Sequence, residues 1–178
     1  MAELLAGVFA GTVALVLLTA FAGHLRAPRV LPIALAAHRT LPVPLVWPAA
    51  VTVTALEGLL GAAIGYALLA GRAHLLTLAA TGAALLLAGY ALYGGYVLRT
   101  RPVVPCGCAA DGTPMSGWVA GRAGVLALAS LAVAGGAGSA AAAHGAHLVI
   151  VGLSSVVFAA LLWSLPLAMF DPERSPAG

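Results

Sequence analysis

Five long apolar runs, separated by short polar or proline-rich stretches, dominate the chain. They fall at residues 4–23, 45–70, 75–98, 117–135 and 148–169. Each is about as long as the roughly 20 helical residues that cross a hydrocarbon core of about 30 Å. The pattern predicts an all-α, polytopic membrane bundle of about five transmembrane helices, in one integral membrane domain covering residues 1–178. The first run ends near Ala20-Phe21-Ala22, which imitates a signal-peptidase site. Its leading segment holds Glu3 and no basic residue, and the run exceeds the usual ~7–15 residues of a signal sequence, so a retained transmembrane helix is expected.

The connections differ in character. Residues 24–44 carry Arg26, Arg29 and Arg39, and prolines at 28, 32, 42 and 44, with Val30, Ile33, Leu35 and Leu41 between them. That stretch is too short to span. It predicts either an interfacial or re-entrant half-helix on the membrane face or an ordinary surface loop. Gly71 to His74 is a tight turn. Residues 136–147 are rich in Gly, Ala and Ser and end in His144 and His147, which read as interfacial histidines more readily than as a metal site lacking a third ligand. The stretch after Met169 is a polar tail.

Within the runs, the polar exceptions matter most. Glu57 is the only acid inside a predicted span. An ionisable group there is costly, so it must face protein or water. It reads either as a buried carboxyl bonded to a neighbouring helix or as a proton-handling group. Gly61 and Gly65 follow on the same helix face and predict close approach of another helix. Tyr90, Tyr93 and Tyr96, three apart, read as an interfacial belt, with a cleft-lining tyrosine as the alternative. Arg122 sits about a turn and a half inside the fourth run, where it can snorkel to the surface or reach towards Glu57. Ser116 and Trp118 read as the N-cap and interfacial anchor of that run.

Composition confirms the class and narrows the partners. The 178 residues are 62% hydrophobic and only 7% charged, against about 25% charge in a soluble domain. The net charge of +3 comes from arginines spread over several loops, which is no nucleic-acid footprint. The partner to expect is the lipid bilayer, in a plasma-membrane setting.

The chain spends its only two cysteines in one motif, Pro105-Cys106-Gly107-Cys108, just before the fourth run. Two thiols one residue apart at a membrane surface suit reversible disulfide exchange or capture of a soft metal such as Cu(I), Hg(II) or Zn(II). Gly107 can take the backbone angles that closing so small a ring demands. Such a disulfide is strained and easily reduced, hence catalytic rather than structural. Arg101 and the N-terminus of the following helix both favour thiolate. Cys106, farther from that helix, is expected to face a docked partner and attack, with Cys108 resolving.

These residues resemble a known family. Arg101-Pro102-Val103-Val104-Pro105-Cys106-Gly107-Cys108, followed by Trp118 and Arg122, with Leu56-Glu57-Gly58-Leu59-Leu60-Gly61 in the second run, is similar to the methylamine utilisation protein MauE family within the wider DoxX-like group. The resemblance covers residues 4–135. It implies a small redox-associated membrane protein that works beside a thioredoxin-like partner in maturing a disulfide-rich extracytoplasmic enzyme. The arrangement also resembles the vitamin K epoxide reductase/DsbB class, which implies a four-helix core, here with one added C-terminal helix, and a quinone as a possible cofactor that Tyr93, Tyr96 or Trp118 could border. Against that class, this chain lacks a second cysteine pair, spaces its pair by one residue and carries Ala109 where an aromatic residue is usual.

Two function classes follow: a membrane thiol–disulfide redox protein using Cys106 and Cys108, with Glu57, Arg101 and Arg122 in support, or a soft-metal protein using the same thiolates. A structural subunit of a membrane complex is a weaker third. Five spans put Arg26, Arg29, Arg39, Arg99, Arg101 and Arg174 at the cysteine end and Arg72 at the other. The positive-inside rule places the cysteine end in the cytoplasm. The resemblance places it outside, where disulfide chemistry is normal, and that is the side expected here, because two arginine groups flank the half-helix and the cysteine loop.

Overall fold

The computed structural model describes residues 2–101, 104–107, 115–142 and 145–168, with the side chains described up to Ser164. Seven helices stand among them and no strand: α1 (Ala2–Arg26), α2 (Val30–His38), α3 (Val43–Leu69), α4 (Ala73–Thr100), α5 (Gly117–Gly135), α6 (Ala137–Ala141) and α7 (Ala146–Ala168). Five of them, α1, α3, α4, α5 and α7, are long and apolar enough to cross a membrane. The chain is a multi-pass membrane protein. Cys108, Ala109, His144 and Arg174, all named above, lie outside the described residues.

The long helices are apolar all round, so hydrophobic pattern does not choose their inner faces. Small residues are frequent on those faces, beside larger ones such as Leu17, Ile64 and Leu76. Large residues such as Leu59, Leu85, Leu92, Leu128 and Leu153 point outward, while Ala10, Ala67, Ala80 and Ala83 are buried inside. Between helices in lipid there is no hydrophobic gain from burying leucine, and small residues let backbones approach and gain dispersion contact. The α1–α3 seam shows this. A Cβ on Gly61 would lie 3.2 Å from the Ala14 carbonyl oxygen, and one on Gly58 would lie 2.9 Å from the Phe21 ring. Gly65 has open space around it, so the close-approach pair is Gly58 and Gly61, not Gly61 and Gly65.

The connections have physical causes too. Helix α3 ends in a Schellman turn: Gly71 takes φ +64, and the Arg72 N–H donates to the Ala67 carbonyl at 2.9 Å. Helix α2 forms as the half-helix alternative. Its nine residues rise about 14 Å, less than half a bilayer core. It buries Pro32, Ala34 and His38. Helix α6 falls in the small-residue connection of residues 136–147. Its residues pack beside α1, where Gly136 approaches Ala6. Helix α7 packs along α1, with the Ser155 hydroxyl donating to the Val8 carbonyl at 3.2 Å.

Helix α1 runs past the expected end at residue 23 to Arg26. That extra turn carries His24 inside, where it is 8% exposed.

Candidate functional site

A cavity of about 530 Å³ opens among α1, α2, α3, α4, α5 and the end of α7. Its walls are mostly aliphatic, and two polar clusters interrupt them.

The first cluster stands beside the cysteine loop. His38, the last residue of α2, is 1% exposed. Its Nε2 lies 2.8 Å from the Pro105 carbonyl oxygen, and a carbonyl can only accept, so Nε2 carries a proton and donates. In the neutral ring Nδ1 then accepts from the Tyr93 hydroxyl at 3.0 Å. The Tyr93 oxygen in turn accepts from the Thr40 hydroxyl at 2.7 Å. One directed chain thus ties the end of α2, the C-terminal third of α4 and the residue before Cys106. Arg39 makes it possible: its φ of 51 and ψ of 34 end α2 in the left-handed region and turn Thr40 back towards Tyr93.

Cys106 is 6% exposed and packs with Val97, Met115 and Val119. It lines the cavity. This corrects the expectation that Cys106 faces a docked partner: its side chain faces the bundle interior. Gly107 follows at φ +75, and a Cβ there would lie 2.7 Å from the Ala34 Cβ. Only glycine fits, for both backbone angle and contact with α2. The loop is closed at its base by the Met115 N–H donating to the Val104 carbonyl at 2.8 Å.

The second cluster lies deeper. Glu57 is 3% exposed. The Tyr90 hydroxyl donates to its Oε1 at 2.9 Å. His24 Nε2 is 3.4 Å from its Oε2, yet the two are not aligned to bond, and Oε2 has no hydrogen-bond partner among the described residues. The proximity is real and the hydrogen bond is not formed. Tyr90 and Tyr93 are three residues apart on α4 and so share its inner face. They are therefore cavity residues, one for each cluster, and not a lipid-facing belt. Tyr96 also lines the cavity but is 57% exposed.

The remaining sequence candidates divide. Arg122 neither snorkels free nor meets Glu57. Its Nη1 donates to the Leu162 carbonyl at 3.4 Å, and its guanidinium lies 5.2 Å from the Trp163 ring centre. The cause is covalent: Pro166 has no N–H, so the Leu162 carbonyl loses its donor four residues on, and Arg122 replaces it. Arg122 and Trp163 both line the cavity. Arg101 is exposed beyond the end of α4. Trp118 is nearly half exposed and is not one of the cavity-lining residues. Ser116 occupies the N-cap position of α5 without a side-chain capping bond.

His24, His38 and Thr40 are functional candidates that sequence reading passed over. All three lie in residues 24–44, the connection read as either a half-helix or a surface loop. The signal available was the tyrosine run: tyrosines one turn apart need polar partners if they face inward, and Tyr93 finds its partners in His38 and Thr40 at the end of α2.

Comparison with known proteins matched the chain to no curated protein and to no solved structure. Residues 1–138, well over half of the chain, match the family described as methylamine utilisation protein MauE, and the chain belongs to that family.

Proposed function

We propose that this protein is a membrane thiol–disulfide redox protein, in which Cys106 and Cys108 exchange with the thiols of a thioredoxin-like partner during maturation of extracytoplasmic proteins. The family description points to methylamine utilisation as the setting. The observation that carries the reading is the position of Cys106: buried in the cavity wall, behind a carbonyl clamped by His38 and ahead of a glycine at φ +75. A motif of two chance cysteines has no need of such anchoring.

The exchange balances without an added reagent. A thiolate of the partner attacks the Cys106–Cys108 disulfide and forms a mixed disulfide, releasing one thiolate here. The partner's second thiolate then displaces the other cysteine. The partner leaves oxidised and this protein holds two thiols; the reverse sequence reduces the partner. Because Cys106 is buried, the cysteine that meets the partner is Cys108, and Cys106 resolves from within. The cysteine end faces the extracytoplasmic side in this reading.

Thiol trapping in membranes tests it. Cys106→Ser leaves Cys108 without its resolving thiol and is expected to accumulate a mixed disulfide with a thioredoxin-fold protein on a non-reducing gel. Cys108→Ser is expected to trap little. A wild-type pair that stays fully reduced in membranes held at oxidising potential, while binding Cu(I) or Hg(II), would overturn the assignment in favour of soft-metal capture.

A further inference from the structure

Arg122 is the one cavity-lining side chain among the described residues that is charged at every accessible pH. It stands five residues past Gly117, about 7.5 Å along α5 from its start. Trp118, one turn nearer that end and nearly half exposed, marks the depth of the membrane interface. The guanidinium has five N–H donors. One reaches the Leu162 carbonyl at 3.4 Å, long for such a bond, and the Trp163 ring lies on its face, where it does not compete for the N–H edge. No carboxylate of the described residues pairs with it. Glu57 stands beside Tyr90 and His24, and Glu3 opens α1 at the opposite end of the bundle. A cation at membrane depth is rare and marks a site, and this one lacks a counter-charge among those residues.

The surroundings fix the class of anion. Arg122 and Trp163 line the cavity and are both part-exposed, and Val125 and Leu161 beside them are more than half exposed, so this wall of the cavity meets the lipid-facing surface. Further from the interface, Leu126, Leu87 and Leu17 give the cavity an aliphatic lining. A donor fork therefore stands at the interface end of an apolar space of about 530 Å³, within the range of small-molecule sites. A lipid has the same polarity along its length, and guanidinium pairs with carboxylate and phosphate through two N–H donors at once. We propose that Arg122 binds the head of an oxyanion-headed lipid, a fatty acid or a phospholipid, with one hydrocarbon chain in the cavity. The charge separates this ligand from the neutral quinone that the resemblance implies. The site goes beyond thiol exchange and does not rest on it.

In the full chain carrying Trp47→Phe and Trp118→Phe, Trp163 is the sole tryptophan and reports from beside Arg122. Its quenching by 5-doxylstearate and by the methyl ester of that lipid tests the proposal, in neutral detergent micelles at about pH 9, where the free carboxyl is ionised. Each is normalised to the quenching of tryptophan octyl ester in the same micelles. The acid is expected to quench at about tenfold lower mole fraction than the ester, because only the acid makes charge-assisted bonds. Arg122→Gln is expected to abolish that preference and leave quenching by the ester unchanged. Relief of the quenching by oleate, by dioleoylphosphatidylglycerol or by both supports the proposal and identifies the lipid source. Relief by neither lipid, or equal relief by inorganic phosphate, which would make this a free-anion site, overturns it. So does equal quenching by acid and ester, or a preference that survives Arg122→Gln. The comparison of acid with ester decides even if Arg122→Gln fails to fold, and no readout depends on either cysteine.

Discussion

His38 does the most with one ring. It is buried at the end of a nine-residue helix, donates to the carbonyl before Cys106 and accepts from Tyr93. Replacing it with alanine leaves the part-buried Pro105 carbonyl without its donor, at about 1–3 kcal/mol at most, while the Tyr93 hydroxyl keeps Thr40. We expect His38→Ala to lower the thermal midpoint and to free the Cys106 segment. In a Cys108→Ser background, alkylation of Cys106 by a small permeant maleimide, followed by mass spectrometry, should quicken by about tenfold. Tyr93→Phe should act in the same direction but less, because the Pro105 bond survives. An unchanged alkylation rate in His38→Ala would mean that the clamp does not hold the thiol. Little of this was legible in the sequence. Cys106, Glu57 and the tyrosines stand out because each is rare or periodic in an apolar chain. His24 and His38 do not, since a histidine beside arginines near a helix end reads as interfacial. What turns them inward is helix phase beyond the apolar run, and hydropathy carries no information there.

At the scale of elements, the cavity depends on α2 packing against residues 105–107 of the cysteine loop. The contact is Gly107 on Ala34, where a Cβ would come within 2.7 Å. Gly107→Ala therefore suffers twice: from a left-handed φ, which costs an L-residue about 1–2 kcal/mol, and from collision with α2. Ala34→Gly removes only the collision. The expected outcome is a marked loss of thermal stability in Gly107→Ala, partial recovery in the double variant Gly107→Ala/Ala34→Gly, and a non-additive double-mutant cycle. Strict additivity would show that the two elements are not coupled through this contact. The long helices were legible because length and hydropathy decide them, and residues 24–44 held enough apolar character to suggest α2. Helix α6 was not, because five small residues gain their helical state from packing on α1. The glycine face of α3 was legible in kind but not in register: Gly61 meets α1 as its spacing suggests, yet the partner glycine is Gly58, set by where Phe21 lies.

Taken whole, the molecule is polarised. The bond from His38 to Pro105 and the contact of Gly107 with Ala34 put the first and third connections at one end, and the exposed Arg26, Arg29, Arg39, Arg99 and Arg101 gather there too. Arg122 belongs to a different account, since it replaces the donor that Pro166 denies to α7. Two physical tendencies oppose each other over this end. Arginines near span ends favour the cytoplasm, whereas a cysteine pair that works by disulfide exchange favours an oxidising compartment. The proposed function requires the second. It can be tested without touching any arginine, in a background of Cys106→Ser/Cys108→Ser. Ala37→Cys places a thiol on the exposed side of α2, and Ala70→Cys places one at the exposed turn between α3 and α4, at the opposite end. An impermeant maleimide added to intact cells with a permeable outer envelope should label Ala37→Cys and spare Ala70→Cys until the cells are lysed. The reverse pattern would put the cysteine loop in the reducing cytoplasm. There the arginines would report orientation after all, and an extracytoplasmic thioredoxin-like partner could not reach Cys108.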